Sequence, residues 1–446
     1  MGSFGAFARR EVIAELRALP AQVRGAGATQ RRLRALRTTA DLRAAARRAL
    51  PRAVFDFVDG AANDEVAMER NRRDLTALEL HPRHLVDVSA IDTATTVLGT
   101  PVATPLLGAP TALSGIVDPG GEAALARAVH RHGSLYVLSG MATYALEEIA
   151  RVAPGPRWLQ LYVYRDRGFV DDLLTRAAET DYRALVVTVD APRSGARERD
   201  ARNGFGLPPR VTLRTLLDGA RHPRWTAAFL RNPRLNPANA PLARGPGHPG
   251  NDPVALADFF ASQFDAAVTW ADLARLRDAW RGPLVVKGLL RADDARTAVA
   301  VGADAVWVSN HGGRQLDDAP SAISVLPRIA DAVGDEAEIF FDSGIRRGSD
   351  AVKALALGAR ACFVARPLLY GLAVAGEQGV RHAFGLLQDE LELTLALCGC
   401  ASVADCANRG IVAGSHAPAA VPDAGALPGW PGNEAVAGGR FPARRP

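Results

Sequence analysis

Lysine is almost missing from this chain. Two lysines, Lys287 and Lys353, stand among 53 basic residues, and the rest are arginine. A bias this strong reads as genome composition, so the net charge of +5 over 446 residues and the pI near 9.3 argue only weakly for a nucleic-acid partner, and none is expected. If positions that tolerate arginine have become arginine, a surviving lysine marks a place where arginine will not serve. Lys287, at the end of the apolar run PLVVKG, is singled out on that ground. Cysteine is scarce too: Cys362, Cys398, Cys400 and Cys406 all fall late. The Cys398-x-Cys400 pair has no second half at zinc spacing, so no metal is expected and a reducing compartment is the default. No run approaches the roughly 18 apolar residues of a membrane span. The N-terminus, MGSFGAFARREVIAELRALP, lacks the apolar core of a secretory signal, which points to the cytoplasm, with peripheral attachment to the inner membrane face left open.

What the chain does have is a recurring unit. Short apolar runs, each followed by turn residues and a helical pattern, occur eight times: Thr104 to Pro110, Leu135 to Gly140, Trp158 to Tyr164, Ala184 to Asp190, Pro283 to Gly288, Ala305 to Gly312, Glu338 to Gly344 and Ala361 to Arg366. Helix-like stretches such as ADDARTAVAVG and SDAVKALALG lie between them and end in glycine. Eight β–α units with strands apolar on both faces predict an α/β fold, a parallel (β/α)8 TIM barrel. The number of units and the lack of a GxGxxG after the first strand argue against a doubly wound sheet.

Chemistry in such a barrel sits at the C-terminal strand ends. Here those ends carry Thr111, Ser139, Gln160, Tyr162, Thr188, Asp190, Lys287, the cluster SNHGGRQLD (Ser309 to Asp317), Asp342 to Arg346, and Arg366. DSGIRRG and VARP combine glycine, arginine and a following helix N-terminus, a combination suited to a phosphate. Residues 1–40 read as an Arg-rich extension, 41–410 as the barrel, and 411–446 as a low-complexity, poorly ordered tail. The long, Pro-, Gly- and Arg-rich connection after the fourth strand, about 205–265, reads as an excursion over the active-site face. A lid, an oligomer contact or a basic apolar patch on a membrane would each suit it.

SNHGGRQLD, with LGAPTALSG, LQLYVYRDR, VTVDAPRSGARERD, VVKGLL and FDSGIRRGSDAVKALALGA in order, resembles the FMN-dependent α-hydroxy acid oxidases and dehydrogenases. The resemblance runs from about Asp41 to Cys400 and is strongest to the mandelate dehydrogenase and flavin-type lactate dehydrogenase branches. It implies oxidation of a small 2-hydroxy acid to the 2-oxo acid, with electrons passing through FMN to a quinone-like acceptor or O₂. Arg197 and Arg314 match the family's carboxylate-binding pair, a role suited to bidentate guanidinium contacts. His311 matches its base, Asp190 the partner of that imidazole, and Tyr162 the hydroxyl facing the substrate oxygen. Lys287 matches the charge beside the flavin N1 and C2 carbonyl. Pro110, Thr111 and Ala112 would line the ring, and Ser139, Gln160, Thr188 and Ser309 its polar edges. Asp342, Ser343, Gly344, Arg346, Ala365 and Arg366 would hold ribityl and phosphate. The family often forms tetramers, so a homo-oligomer is expected.

Three positions depart from the family pattern. Phe57 stands where a substrate-binding tyrosine is usual, Ala365 where a glycine precedes the phosphate arginine, and Met141 where the residue is often aromatic or small. Phe57 and Met141 suggest a more apolar pocket, for an aromatic or long-chain acid. They also keep open a changed substrate, an amine or a hydroxylated biosynthetic intermediate. Phe57 and Ala365 keep open a flavin- or phosphate-binding protein without turnover.

Overall fold

The computed structural model describes residues 27–205, 212–234, 236–239, 262–408 and 410–414. Eight parallel strands close into a barrel in chain order: β1 (Leu106–Gly108), β2 (Tyr136–Ser139), β3 (Arg157–Leu161), β4 (Leu185–Thr188), β5 (Leu284–Leu289), β6 (Ala305–Val308), β7 (Glu338–Phe341) and β8 (Ala361–Val364). The (β/α)8 expectation holds, and every strand except β5, which equals its run in length, is shorter than its apolar run. Ser139, Gln160, Thr188 and Lys287 are still paired in the ladder at its mouth end, and the residues beyond the strand ends complete the mouth.

Strand side chains alternate between the two faces, and here both faces are buried. One set, including Leu138, Leu159, Val187, Val286, Val308 and Phe341, packs outward with the surrounding helices into the main core. The other set points inward and forms a separate cluster of Leu107, Val137, Trp158, Val186, Val285, Trp307, Phe340 and Phe363. The rings of Trp307 and Phe363 stack at 3.7 Å, and Trp158 lies 5.5 Å from Phe340. Two residues further along the same strands, the inward positions become Ser139, Gln160, Thr188, Lys287, Ser309, Asp342 and Ala365. Strand parity thus aims the predicted site residues at one point.

The glycines that close the predicted helices do the work expected of them. Gly302 (φ 92°) and Gly358 (φ 103°) take left-handed conformations just past helices Ala292–Ala300 and Gly348–Ala356. Ahead of the barrel, α1 (Thr39–Ala49) is capped by the Thr38 hydroxyl, which accepts from the Asp41 N–H at 3.1 Å. It packs along α2, the long kinked helix Arg366–Leu397 that follows β8. The residues between α1 and β1 include two further helices, Arg52–Asp59 and Val66–Ala77, which lie against the mouth.

The tail boundary needs correction. Val412–Gly414 forms an antiparallel ladder with Leu78–Leu80, so the start of the tail is a strand, while residues 415–446 lie outside the described residues. Ile411 is fully buried, and its side chain anchors that turn of chain to the core. Of the N-terminal extension, Ala28–Arg34 is helical and residues 1–26 lie outside the described residues. The described part of the long connection forms two short helices, Leu213–Arg221 and Pro223–Arg231. Among the described residues no helix is long and apolar enough to cross a membrane.

Candidate active site

The C-terminal mouth opens into a cavity of about 570 Å³. Its walls include almost every residue singled out from the sequence: Phe57, Pro110, Thr111, Ala112, Ser139, Met141, Gln160, Tyr162, Thr188, Arg197, Lys287, His311, Arg314, Asp342, Ser343, Gly344, Arg346, Ala365 and Arg366. Asp190 and Ser309 lie just behind that wall, each bonded to a residue that forms it.

His311 sits on a tight turn after β6, where His311, Gly312 and Gly313 all take positive φ (57°, 67° and 79°). Such a run is costly for a residue with a Cβ and persists only where neighbours enforce it. They do. The His311 N–H donates to Ser309 Oγ at 3.0 Å, and the Gly312 N–H donates to Ser343 Oγ at 3.0 Å. Beneath the turn Asn310 and Asn71 exchange two amide hydrogen bonds, at 2.8 and 2.9 Å. The His311 Nδ1 lies 2.9 Å from Asp190 Oδ1, leaving Nε2 as the ring nitrogen available to the cavity. Burial alone would raise the Asp190 carboxyl. The nearby His311 and Lys287 outweigh it and hold the group below the usual carboxylate range.

The arginine corner faces this turn. Arg314 Nη1 donates to the Phe57 and Gly60 carbonyls at 2.9 and 2.8 Å, and no carboxylate is within ion-pair distance among the described residues. Burial, with Arg197 and Arg366 nearby, pushes its pKa down to about 9. Arg197 Nε lies 3.1 Å from Asp200. Both guanidiniums approach the face of Phe57, at 5.5 and 6.0 Å, and Phe57 stacks on Phe205 at 4.5 Å. An aromatic face favours nearby cations, so Phe57 offsets part of the arginines' mutual repulsion. Across the cavity Tyr162 packs edge-on against Phe264 at 5.3 Å. Burial and the Asp190 charge push the Tyr162 hydroxyl up, so it stays protonated and can donate.

The remaining wall suits a phosphate-bearing flavin. Lys287 Nζ donates to Ser309 Oγ at 2.7 Å, lies 2.8 Å from Asp342 Oδ2, and sits 4.8 Å from the Trp307 ring centroid. Ser309 therefore spends its hydroxyl on Lys287 and the His311 turn. Ser139 donates to Gln160 at 3.0 Å and Gln160 to Thr188 at 2.9 Å, a relay that sets the side-chain amide's orientation. At the corner after β7 and β8, Arg346 and Arg366 line the cavity with no carboxylate partner among the described residues. Burial, with Arg366 and Arg72 adding to it, pushes Arg346 down to about 10. Two guanidiniums without an acid, beside the N-terminus of α2, form a site for a dianion. Lys287 supplies one further charge on the same cavity wall.

Sequence reasoning missed Phe205 and Phe264, which wall the pocket, and Asn71, which supports the histidine turn. Phe205 and Phe264 flank the long connection at either end, and no local pattern marks them.

A family model described as FMN-dependent dehydrogenase matches residues 46–413. L-lactate oxidase from Nostoc sp. is 44% identical over 360 residues, covering 80% of this chain and 92% of that protein. L-lactate dehydrogenase from Caulobacter vibrioides is 43% identical over 373 residues, covering 82% and 95%. Among solved structures, a monotopic membrane protein, (S)-mandelate dehydrogenase, superposes with a TM-score of 0.81 at 39% identity, over 85% of this chain and 99% of that one.

Proposed function

The chain belongs to the FMN-dependent dehydrogenases, and from that premise we propose that it oxidises an (S)-2-hydroxy acid with an apolar, aryl-sized side chain to the 2-oxo acid. FMN-dependent oxidation of 2-hydroxy acids is what its relatives support; the side chain and the residue roles are our reading. The observation that carries them is the meeting, in one cavity, of the His311–Asp190 pair with Arg314 and the Arg346–Arg366 corner, none of these arginines having a carboxylate partner among the described residues.

Arg314 and Arg197 clamp the substrate carboxylate, which supplies the counter-charge that Arg314 lacks among the described residues. This turns C2 and its hydroxyl toward His311. Nε2 takes a proton from the substrate, and Asp190, already bonded to Nδ1, stabilises the imidazolium that forms. The Tyr162 hydroxyl donates to the substrate oxygen as it becomes a carbonyl. Bound FMN supplies an acceptor for the electron pair that leaves carbon. Lys287 would hold the polar edge of that ring and place a positive charge there, and Arg346 and Arg366 would hold its phosphate. The substrate side chain is left facing Phe57, Met141, Phe205 and Phe264, a wall too large and apolar to be matched by a methyl group.

The electrons pass on to a quinone-like acceptor or to O₂. A membrane-borne quinone is favoured by the helices Leu213–Arg221 and Pro223–Arg231, which expose Leu213 (74%) and Leu230 (72%) beside Arg221, Arg224 and Arg231. Such a surface suits a peripheral protein resting on anionic lipid. The test is an anaerobic visible spectrum with (S)-mandelate and then (S)-lactate. Mandelate should bleach the flavin faster, and readmitted air should recolour it slowly. Bleaching by lactate alone would overturn the side-chain reading, and no bleaching by any 2-hydroxy acid would overturn the reaction.

A further inference from the structure

One short stretch of backbone touches both charged ends of the cavity. It is the C-terminus of the helix Arg52–Asp59. The last carbonyls of a helix lack partners within it and favour nearby cations. Here two are taken by arginines from opposite ends of the site. Phe57 O accepts from Arg314 Nη1 at 2.9 Å, and Val58 O accepts from Arg366 Nε at 3.3 Å. Gly60 O, just past the helix, accepts from both, from Arg314 Nη1 at 2.8 Å and Arg366 Nη2 at 2.9 Å. A third bond, from Arg366 Nη1 to Gly312 O at 3.0 Å, ties the same guanidinium to the histidine turn. Gly60 has no room for a side chain: a Cβ there would stand 2.7 Å from Asp56 O.

Between Val58 and Gly60 stands Asp59, only 2% exposed. Its carboxylate accepts from Arg43 through two nitrogens, from Arg199 Nη1 at 3.0 Å and from the Tyr370 hydroxyl at 2.7 Å. These partners come from α1, from the stretch after β4 and from α2. Arg199 also pairs with Glu65, which accepts from the Ala61 N–H at 2.8 Å just beyond the turn. Asp59 bonds to neither Arg314 nor Arg366. It pins the turn whose carbonyls hold both.

We propose that Asp59 is a positioning residue, and that the turn Phe57–Gly60 links the flavin-phosphate arginine Arg366 to the substrate-carboxylate arginine Arg314. The inference rests on the roles given to those two arginines above. FMN affinity and substrate affinity then depend on one backbone element, and loosening this element weakens both together.

The test uses the full-length holoenzyme with Asp59→Asn and, as a milder change that keeps both arginine pairs, Tyr370→Phe. Flavin fluorescence on dilution reads the FMN dissociation constant. The absorbance change of bound flavin on titration with oxalate, a non-reacting carboxylate, reads the substrate-side constant. Asp59→Asn should weaken both constants by about tenfold, the scale of one lost charge-assisted hydrogen bond. KM should rise with kcat little changed, and Tyr370→Phe should shift both constants by a smaller, similar factor. A variant with lowered thermal stability but neither constant moved would reduce Asp59 to a structural residue. One constant moving without the other would overturn the link through Gly60. Arg366→Met and Arg314→Met, run in parallel, separate the two failures. If they spare FMN and oxalate binding, the assigned roles are wrong. If each weakens its own ligand while Asp59→Asn and Tyr370→Phe change neither constant, only the present inference falls.

Discussion

Trp158 and Gln160 stand two residues apart on β3 and both point into the barrel, yet their surroundings share almost nothing. Around Trp158 the interior is a floor of aromatic and branched side chains, with Trp307, Phe340 and Phe363 in ring contact. Around Gln160 it is a chain of polar groups, Ser139, Thr188, Lys287 and Asp342, each held by a neighbour at hydrogen-bond distance. The two layers share strands and parity. The floor is close-packed, and filling it stabilises the barrel. The layer above cannot fill itself: it brings like charges together, desolvates Arg314 and strains the His311 turn, and a ligand is needed to complete it. The floor therefore fixes where the reactive layer stands.

The sharpest way to separate the layers is at His311. His311→Gln should retain flavin and thermal stability while the rate of flavin reduction by substrate falls by about 10²–10⁴-fold, measured by anaerobic stopped flow. An unchanged rate would remove His311 from the chemistry. In the floor the effect should invert. Trp158→Ala should cost roughly 3–5 kcal/mol of stability in denaturant unfolding, because a ring's contacts are lost and the surrounding strands cannot close the gap. Protein that still folds should reduce its flavin at close to the normal rate. A smaller effect comes from the charge on Arg314. Its pKa is pushed down to about 9, so its charge is present at neutral pH and is lost as pH rises through that value. The substrate carboxylate stays ionised throughout. KM should therefore rise with pH beyond about 9, by up to about tenfold per unit, with the flavin still bound. A flat KM across that range would mean that Arg314 keeps its charge or does not bind the carboxylate.

The reactive layer was unusually legible. Lys287 stood out in a chain nearly without lysine, and SNHGGRQLD placed an imidazole and a guanidinium at one strand end. Period-2 alternation then carried Ser139, Gln160, Thr188 and Asp342 to the same side as those groups. The illegible parts come from distant segments. Asn71 meets Asn310 across 239 residues of chain, and the Asp59 carboxylate draws partners from up to 311 residues away. Nothing in the local pattern around Val412 signals a strand, because its partner Leu80 lies in another part of the chain.

By itself the sequence determined the repeating unit, the barrel, the family and the chemical groups at each strand end, because apolar periodicity and strand parity are local properties that any neighbourhood must respect. Only the tertiary structure decided which distant groups support them: that Ser309 serves Lys287, that Phe205 and Phe264 close the pocket, and that a single turn at Phe57–Gly60 holds both arginine sites. Those pairings depend on how far apart loops come to rest once the barrel closes, and no local preference encodes that distance.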